Sequence, residues 1–102
     1  MIEIQIGEAV SDIRSASESW INQQINQRKA DGLSVCVKVT IKEDDLNMVL
    51  LTPTCPSSGD GSRRPRQREQ RLFDLWNRRG LNSSDFTGGN LVAFLKQLKN
   101  IV

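Results

Sequence analysis

The sequence predicts a small α+β domain in which a short, mostly antiparallel sheet packs against helices in two layers. Three observations predict it: an alternating apolar pattern at the start, a longer one in the middle, and helix-period apolar positions in the last third. Together with a helix predicted between the two alternating patterns, these observations give the element order β-α-β-β-α-α. At 102 residues the chain has the length of one domain, so residues 1–102 are assigned to a single unit.

The first part of the chain is predicted to be a short strand followed by a helix. Ile2, Ile4 and Ile6 alternate with other residues, which is the period of a half-buried strand. From residue 8 to residue 30 the apolar positions recur at helical spacing, and Gly32 supplies a stop. If the first strand joins the sheet, such a strand–helix–strand unit favours a parallel crossover.

A β-hairpin is predicted in the middle of the chain. Apolar residues alternate with polar ones from 33 to 42, the acidic run 43–45 makes the turn, and a second strand covers 46–52. The second strand is apolar on both faces, since Val49 and Leu51 alternate with three other apolar residues. Either the C-terminal helices cover Val49 and Leu51, or these two residues form an interface with a partner protein or in a homodimer.

After the hairpin, the sequence predicts a mobile loop and two helices. Residues from about 53 to 66 hold all three prolines of the chain, together with glycines and serines, and show no apolar periodicity. Helices are predicted at 67–79 and at about 88–101, from their apolar stripes and from the glycine at 80.

Positive charge is concentrated in the second half of the chain. Residues 62–80 carry seven Arg and two acids, a net of +5, whereas the other residues carry seven Lys or Arg and ten acids, a net of −3. Guanidinium groups bind phosphate and carboxylate in bidentate fashion. The predicted anion- or partner-binding residues are Arg63, Arg64, Arg66, Arg68 and Arg71. The alternative is a solvated loop followed by ordinary helix arginines.

Several catalytic chemistries are excluded by composition. The chain has no His, which excludes Ser-His-Asp and Cys-His nucleophile pairs, and two Cys without His do not make a structural zinc site within one chain. Cys55 precedes a glycine-rich turn and an arginine, but cysteine-based phosphate loops need Arg where Gly61 stands. The sequence therefore predicts no catalytic residue, no metal and no cofactor.

The predicted function is a small, non-enzymatic protein-interaction or accessory module with an unidentified protein partner. The alternative is a nucleic-acid-binding accessory protein that uses the basic segment Arg63–Arg79. A helix-turn-helix built from the last two helices is a weaker form of this alternative, because the link from Gly80 to Thr87 is long for that motif.

The N-terminal sequence predicts a cytoplasmic protein that does not bind membranes. It lacks the basic and apolar regions of a signal peptide, and no apolar run approaches the ~20 residues of a spanning helix. In that compartment Cys36 and Cys55 are most simply free thiols, and a single disulfide in a secreted protein is the alternative.

Overall fold

The computed structural model of the chain describes residues 1–43, 46–55 and 66–101. In these ranges four strands form one antiparallel sheet in the order β2-β1-β3-β4, and three helices pack on one of its faces. The predicted two-layer α+β class is therefore confirmed. The elements are β1 (Ile2–Ile6), β2 (Ala9–Asp12), α1 (Glu18–Ala30), β3 (Val37–Lys42), β4 (Asn47–Leu51), α2 (Gln67–Arg78) and α3 (Gly88–Ile101).

The core lies between the sheet and the helices. The isoleucines of β1 and the alternate residues of β3 and β4 point towards the helices and are buried, as period-two patterning requires. On the helix side, α1 contributes Ile21 and Ile25, and α2 contributes Trp76. The ring of Trp76 meets that of Phe94 on α3 edge-on, with 5.1 Å between the ring centroids, which joins the two helices.

The segment predicted as one helix from 8 to 30 is instead a strand followed by a shorter helix. Gly7, at φ 62°, begins a two-residue turn that pairs Ile6 with Ala9, a conformation that glycine adopts without strain. The helix begins later, where the Ser17 hydroxyl accepts a hydrogen bond from the backbone N–H of Trp20 at 3.1 Å. The helical spacing before Ser17 is thus a coincidence of a short strand and its connection.

The extra strand also changes the predicted crossover. β1 runs antiparallel to β3, not parallel, because the β1–β2 turn has already reversed the chain. β2 and β3 therefore point the same way with β1 between them, and α1 is the connection that joins them.

Cys36 and Cys55 form a disulfide, so the prediction of two free thiols is wrong. The hairpin register explains their proximity. Cys36 directly precedes β3, and Cys55 follows β4 in a turn in which its backbone N–H bonds to the carbonyl of Thr52 at 3.1 Å. The two Cα atoms are 4.6 Å apart, within the range that a disulfide spans. The bridge closes the open end of the hairpin.

Some predictions fall on residues outside the described ranges. These are the turn residues 44 and 45 and most of the predicted loop, from 56 to 65. Within the ranges that the structure does describe, no helix is long and apolar enough to cross a membrane.

Candidate binding groove on α2 and α3

The N-terminus of α2 is fixed to the edge of the sheet by Glu69, whose side chain is fully buried. Its Oε1 accepts a hydrogen bond from the backbone N–H of Arg66 at 2.9 Å, and its Oε2 accepts one from the backbone N–H of Asn47 at 3.0 Å. A buried carboxylate is costly unless it is hydrogen-bonded, and here both oxygens are. Glu69 thus ties the start of α2 to the outer edge of β4.

Two arginines of the basic segment join α2 to α3. Arg79 Nε donates a hydrogen bond to Gln97 Oε1 at 2.9 Å, and Arg68 Nη2 donates one to the backbone carbonyl of Ile101 at 3.3 Å. The second contact also places a cation at the C-terminal end of α3, which the helix dipole favours. These two hydrogen bonds and the contact between Trp76 and Phe94 join α2 to α3.

A surface groove of about 760 Å³ lies between α2 and the last turn of α3. Leu75 and Ile101, both half-buried, supply its apolar floor. The groove is more open to solvent than an enclosed cavity, so it suits side chains of a macromolecule better than a small molecule. Its polar lining consists of Gln67, Gln70, Arg71, Asp74, Arg78, Gln97 and Asn100.

The α2 side of this groove carries a row of alternating charge. Arg71, Asp74 and Arg78 are three and four residues apart, so the helix places them on one stripe. Within the described ranges, neither Arg71 nor Arg78 makes a side-chain hydrogen bond or an ion pair, and Asp74 accepts one hydrogen bond from Gln70 Nε2 at 3.1 Å. The stripe therefore presents positive, negative and positive charge in order, over two helical turns.

The structure describes three of the five predicted arginines, and two of them, Arg68 and Arg71, lie next to each other. Arg66 is exposed just before α2, Arg68 is exposed at its first turn, and Arg71 lines the groove. Arg68 and Arg71 also flank a smaller depression beside Gln67. The other two, Arg63 and Arg64, lie outside the described residues.

Val49 and Leu51 lie on a different surface, the open face of the sheet. Val49 is 43% exposed and Leu51 is half-buried, both on the outer strand β4. Of the two alternatives for these residues, coverage by the C-terminal helices is not observed, because the helices pack on the opposite face. Val49 pairs with Thr40 and Leu51 with Lys38, so polar residues flank both.

Of the nine described residues that line the groove, Arg71 alone was among the predicted site residues, and Asp74, Arg78 and Gln97 are three of the eight that were not. For the first two a signal was present, because their spacing from Arg71 repeats the helical period. The helical period also places Gln97 on the outward face of the last helix, but its position in the groove depends on how α3 packs against α2.

No protein-family model, curated protein or solved structure matches the chain. In the described part of the chain, His, Cys, Asp and Glu side chains form no group that could hold a metal ion.

Proposed function

We propose that this protein is a non-enzymatic interaction module whose protein partner docks in the α2–α3 groove. One observation carries the proposal: Arg71 and Arg78, which have no side-chain partner among the described residues, flank an exposed acid beside the apolar side chains of the groove. Charged groups around an apolar centre are the usual anatomy of a protein interface. The anchors of α2 hold this surface in place before a partner arrives, which lowers the ordering cost of binding.

The non-enzymatic part of the proposal rests on which side chains are present. The chain has no His to serve as a general base. Cys55, the one residue with a weak resemblance to a phosphate-loop nucleophile, is bonded to Cys36 and has no free thiol.

A second candidate function is nucleic-acid binding. The observation in its favour is that the exposed side chains of α2 are mostly Arg, Gln and Asn, which bond to phosphates and base edges. Against it, Asp74 stands in the middle of the groove and would repel a phosphate backbone. The exposed residues are Gln67, Arg68, Gln70, Arg71, Asp74, Asn77 and Arg78.

Photo-crosslinking in a native extract tests the proposal. The wild-type chain should capture a partner protein, and the double variant Arg71→Glu/Arg78→Glu should lose it. The matched control is Lys38→Glu/Lys42→Glu, which reverses two exposed charges on the open face of the sheet and should keep the partner. Loss of the partner in both variants, or in neither, contradicts docking at the groove.

Nuclease treatment of the same extract distinguishes direct protein binding from the second candidate function, nucleic-acid binding. A protein captured directly survives nuclease, whereas one bridged by nucleic acid does not. Direct binding of labelled duplex or single-stranded oligonucleotides, with an affinity that falls steeply with salt, would support the nucleic-acid function instead.

The predicted interface at Val49 and Leu51 and the predicted homodimer remain proposals. β4 is an outer strand, and such edges can pair with an added strand or a second copy. Light scattering of wild type and Val49→Lys over a concentration series tests the homodimer, and crosslinking of Val49→Lys in the native extract tests an interface with a partner protein. A mass that stays monomeric for both chains rules out this homodimer.

The predicted cytoplasmic location also remains a proposal, and the disulfide weighs against it. Bridges between cysteines persist mainly in oxidising compartments. Thiol labelling of the protein directly in its source cells distinguishes a reducing compartment from an oxidising one. Two labelled cysteines per chain support a reducing compartment, and none supports an oxidising one.

A further inference from the structure

We infer that the groove binds an amphipathic helix of a partner protein, one that carries acidic, basic and acidic side chains along one stripe. The inference rests on the proposed function, because it takes the groove as a protein-docking site. It adds the partner's conformation and its charge order.

Charge complementarity sets the order. The guanidinium groups of Arg71 and Arg78 are each complementary to a carboxylate. Asp74 between them is complementary to an ammonium or guanidinium group. A uniformly acidic partner would place one carboxylate against Asp74. A nucleic-acid backbone would do the same with a phosphate, so the row discriminates against both.

Spacing sets the conformation. Arg71 and Arg78 are two helical turns apart, roughly 10.5 Å along α2. In a partner helix lying along α2, residues i and i+7 repeat at the same distance on the same face, with i+3 between them. In an extended strand, successive side chains point to opposite faces, and those on one face lie ~7 and ~14 Å apart. Neither strand distance matches the separation of Arg71 and Arg78 along α2, whereas residues i and i+7 of a helix do.

The groove floor sets the neighbouring positions of the partner helix. Leu75 and Ile101 are half-buried and lie beside the charged row. Apolar residues at i+4 and i+8 of the partner fall next to its charged stripe and would cover these two side chains. The amide side chains of the rim, such as Gln97 and Asn100, can bond to polar groups at the edge of the contact.

Two designed peptides test the inference. Both are alanine-rich and about 18 residues long, so that they are helical on their own. The first has Glu at i and i+7, Lys at i+3 and Leu at i+4 and i+8. The second exchanges every Glu and Lys and keeps the leucines. Fluorescence anisotropy at low salt measures the affinity of each peptide for the full chain.

Wild type should bind the first peptide at least about tenfold more tightly than the second. The triple variant Arg71→Glu/Asp74→Lys/Arg78→Glu should reverse this preference. All three side chains are exposed, and circular dichroism confirms that the variant is folded. The control Lys38→Glu/Lys42→Glu should keep the wild-type preference.

Equal affinity for the two peptides, or no binding of either, overturns the inference. So does binding of an oligonucleotide that depends on Arg71 and Arg78 while neither peptide binds. If both peptides fail but crosslinking to a partner still requires these arginines, the helical partner is wrong and the interaction module stands. If crosslinking is also independent of them, both proposals fail.

Discussion

Two solvent-facing surfaces on opposite sides of the molecule differ in their charge. The open face of the sheet holds Glu3 and Asp12 on β1 and β2 against Lys38 and Lys42 on β3, and is balanced. Residues 66–79, which form α2 and its ends, hold five Arg and two acids. One of those acids, Glu69, is buried and bonded to backbone N–H groups, so Asp74 is the exposed acid of that segment.

The two surfaces also differ in the interactions that hold them in place. The sheet is held by backbone hydrogen bonds along three strand pairs and by the disulfide at the end of the β3–β4 hairpin. The position of α2 depends on a few side chains, chiefly Glu69 and Trp76. Changes to exposed residues should therefore cost little stability on either surface, whereas changes to the anchors of α2 should cost much.

Replacing Trp76 is expected to cause the largest loss of stability. Replacing it with Ala removes a buried ring packed against Phe94 and should lower the free energy of unfolding by about 3–5 kcal/mol. Urea denaturation measures it. Trp20→Ala is the control, because Trp20 is only half-buried and its loss should be clearly smaller. Equal losses would show that α2 is not the region that depends on side-chain anchors.

Removing the disulfide is expected to cause the second-largest loss of stability. The double variant Cys36→Ser/Cys55→Ser should lose about 3 kcal/mol, since the bridge spans 19 positions of sequence and restricts the unfolded chain. Denaturation with and without reductant measures it: the reductant should destabilise wild type and leave the variant unchanged. A wild-type curve that does not move with reductant contradicts a stabilising bridge.

Glu69→Gln should cost about 1–3 kcal/mol, because the amide nitrogen would face a backbone N–H where an oxygen now accepts. Chemical denaturation measures this loss as well. Asp74→Asn makes the same chemical change at an exposed position of the same helix and should cost less than about 0.5 kcal/mol. If the two variants are equally stable, Glu69 does not anchor α2.

A substitution on the open face of the sheet is expected to change stability least. Val49→Thr keeps a β-branched residue at an exposed strand position and should change stability by less than about 0.5 kcal/mol. A thermal melt measures it. A loss well above 1 kcal/mol at a dilution where wild type is monomeric would mean that Val49 is packed within the chain.

The sequence predicted most of the elements that position the groove. The alternating residues of β3 and the apolar stripes of α2 and α3 are long enough to define their periods, and all three elements are observed. Both helices lie near their predicted bounds, whereas β3 begins at Val37, four residues after the predicted start at 33. β2 was missed because it has four residues and Ser11 stands at an inward-facing position, which hides the alternation. The period of Ala9, Val10 and Ile13 then favours a helix.

The site was only partly predictable. The basic character of Arg66, Arg68 and Arg71 is visible in the sequence, but the groove requires the packing of α2 on α3, which periodicity does not give. Glu69 could not be predicted as an anchor, because its partner Asn47 lies 22 residues earlier in the chain. Likewise, the pairing of Cys36 with Cys55 depends on the hairpin register.

The exchange of peptide preference tests whether the charged row on α2 selects the partner of the groove. Anisotropy titrations with the two charge-swapped helices should favour the Glu–Lys–Glu peptide for wild type and the Lys–Glu–Lys peptide for Arg71→Glu/Asp74→Lys/Arg78→Glu. The charge row on α2 then determines what the groove binds. Identical affinities of both peptides for both chains would contradict the claim.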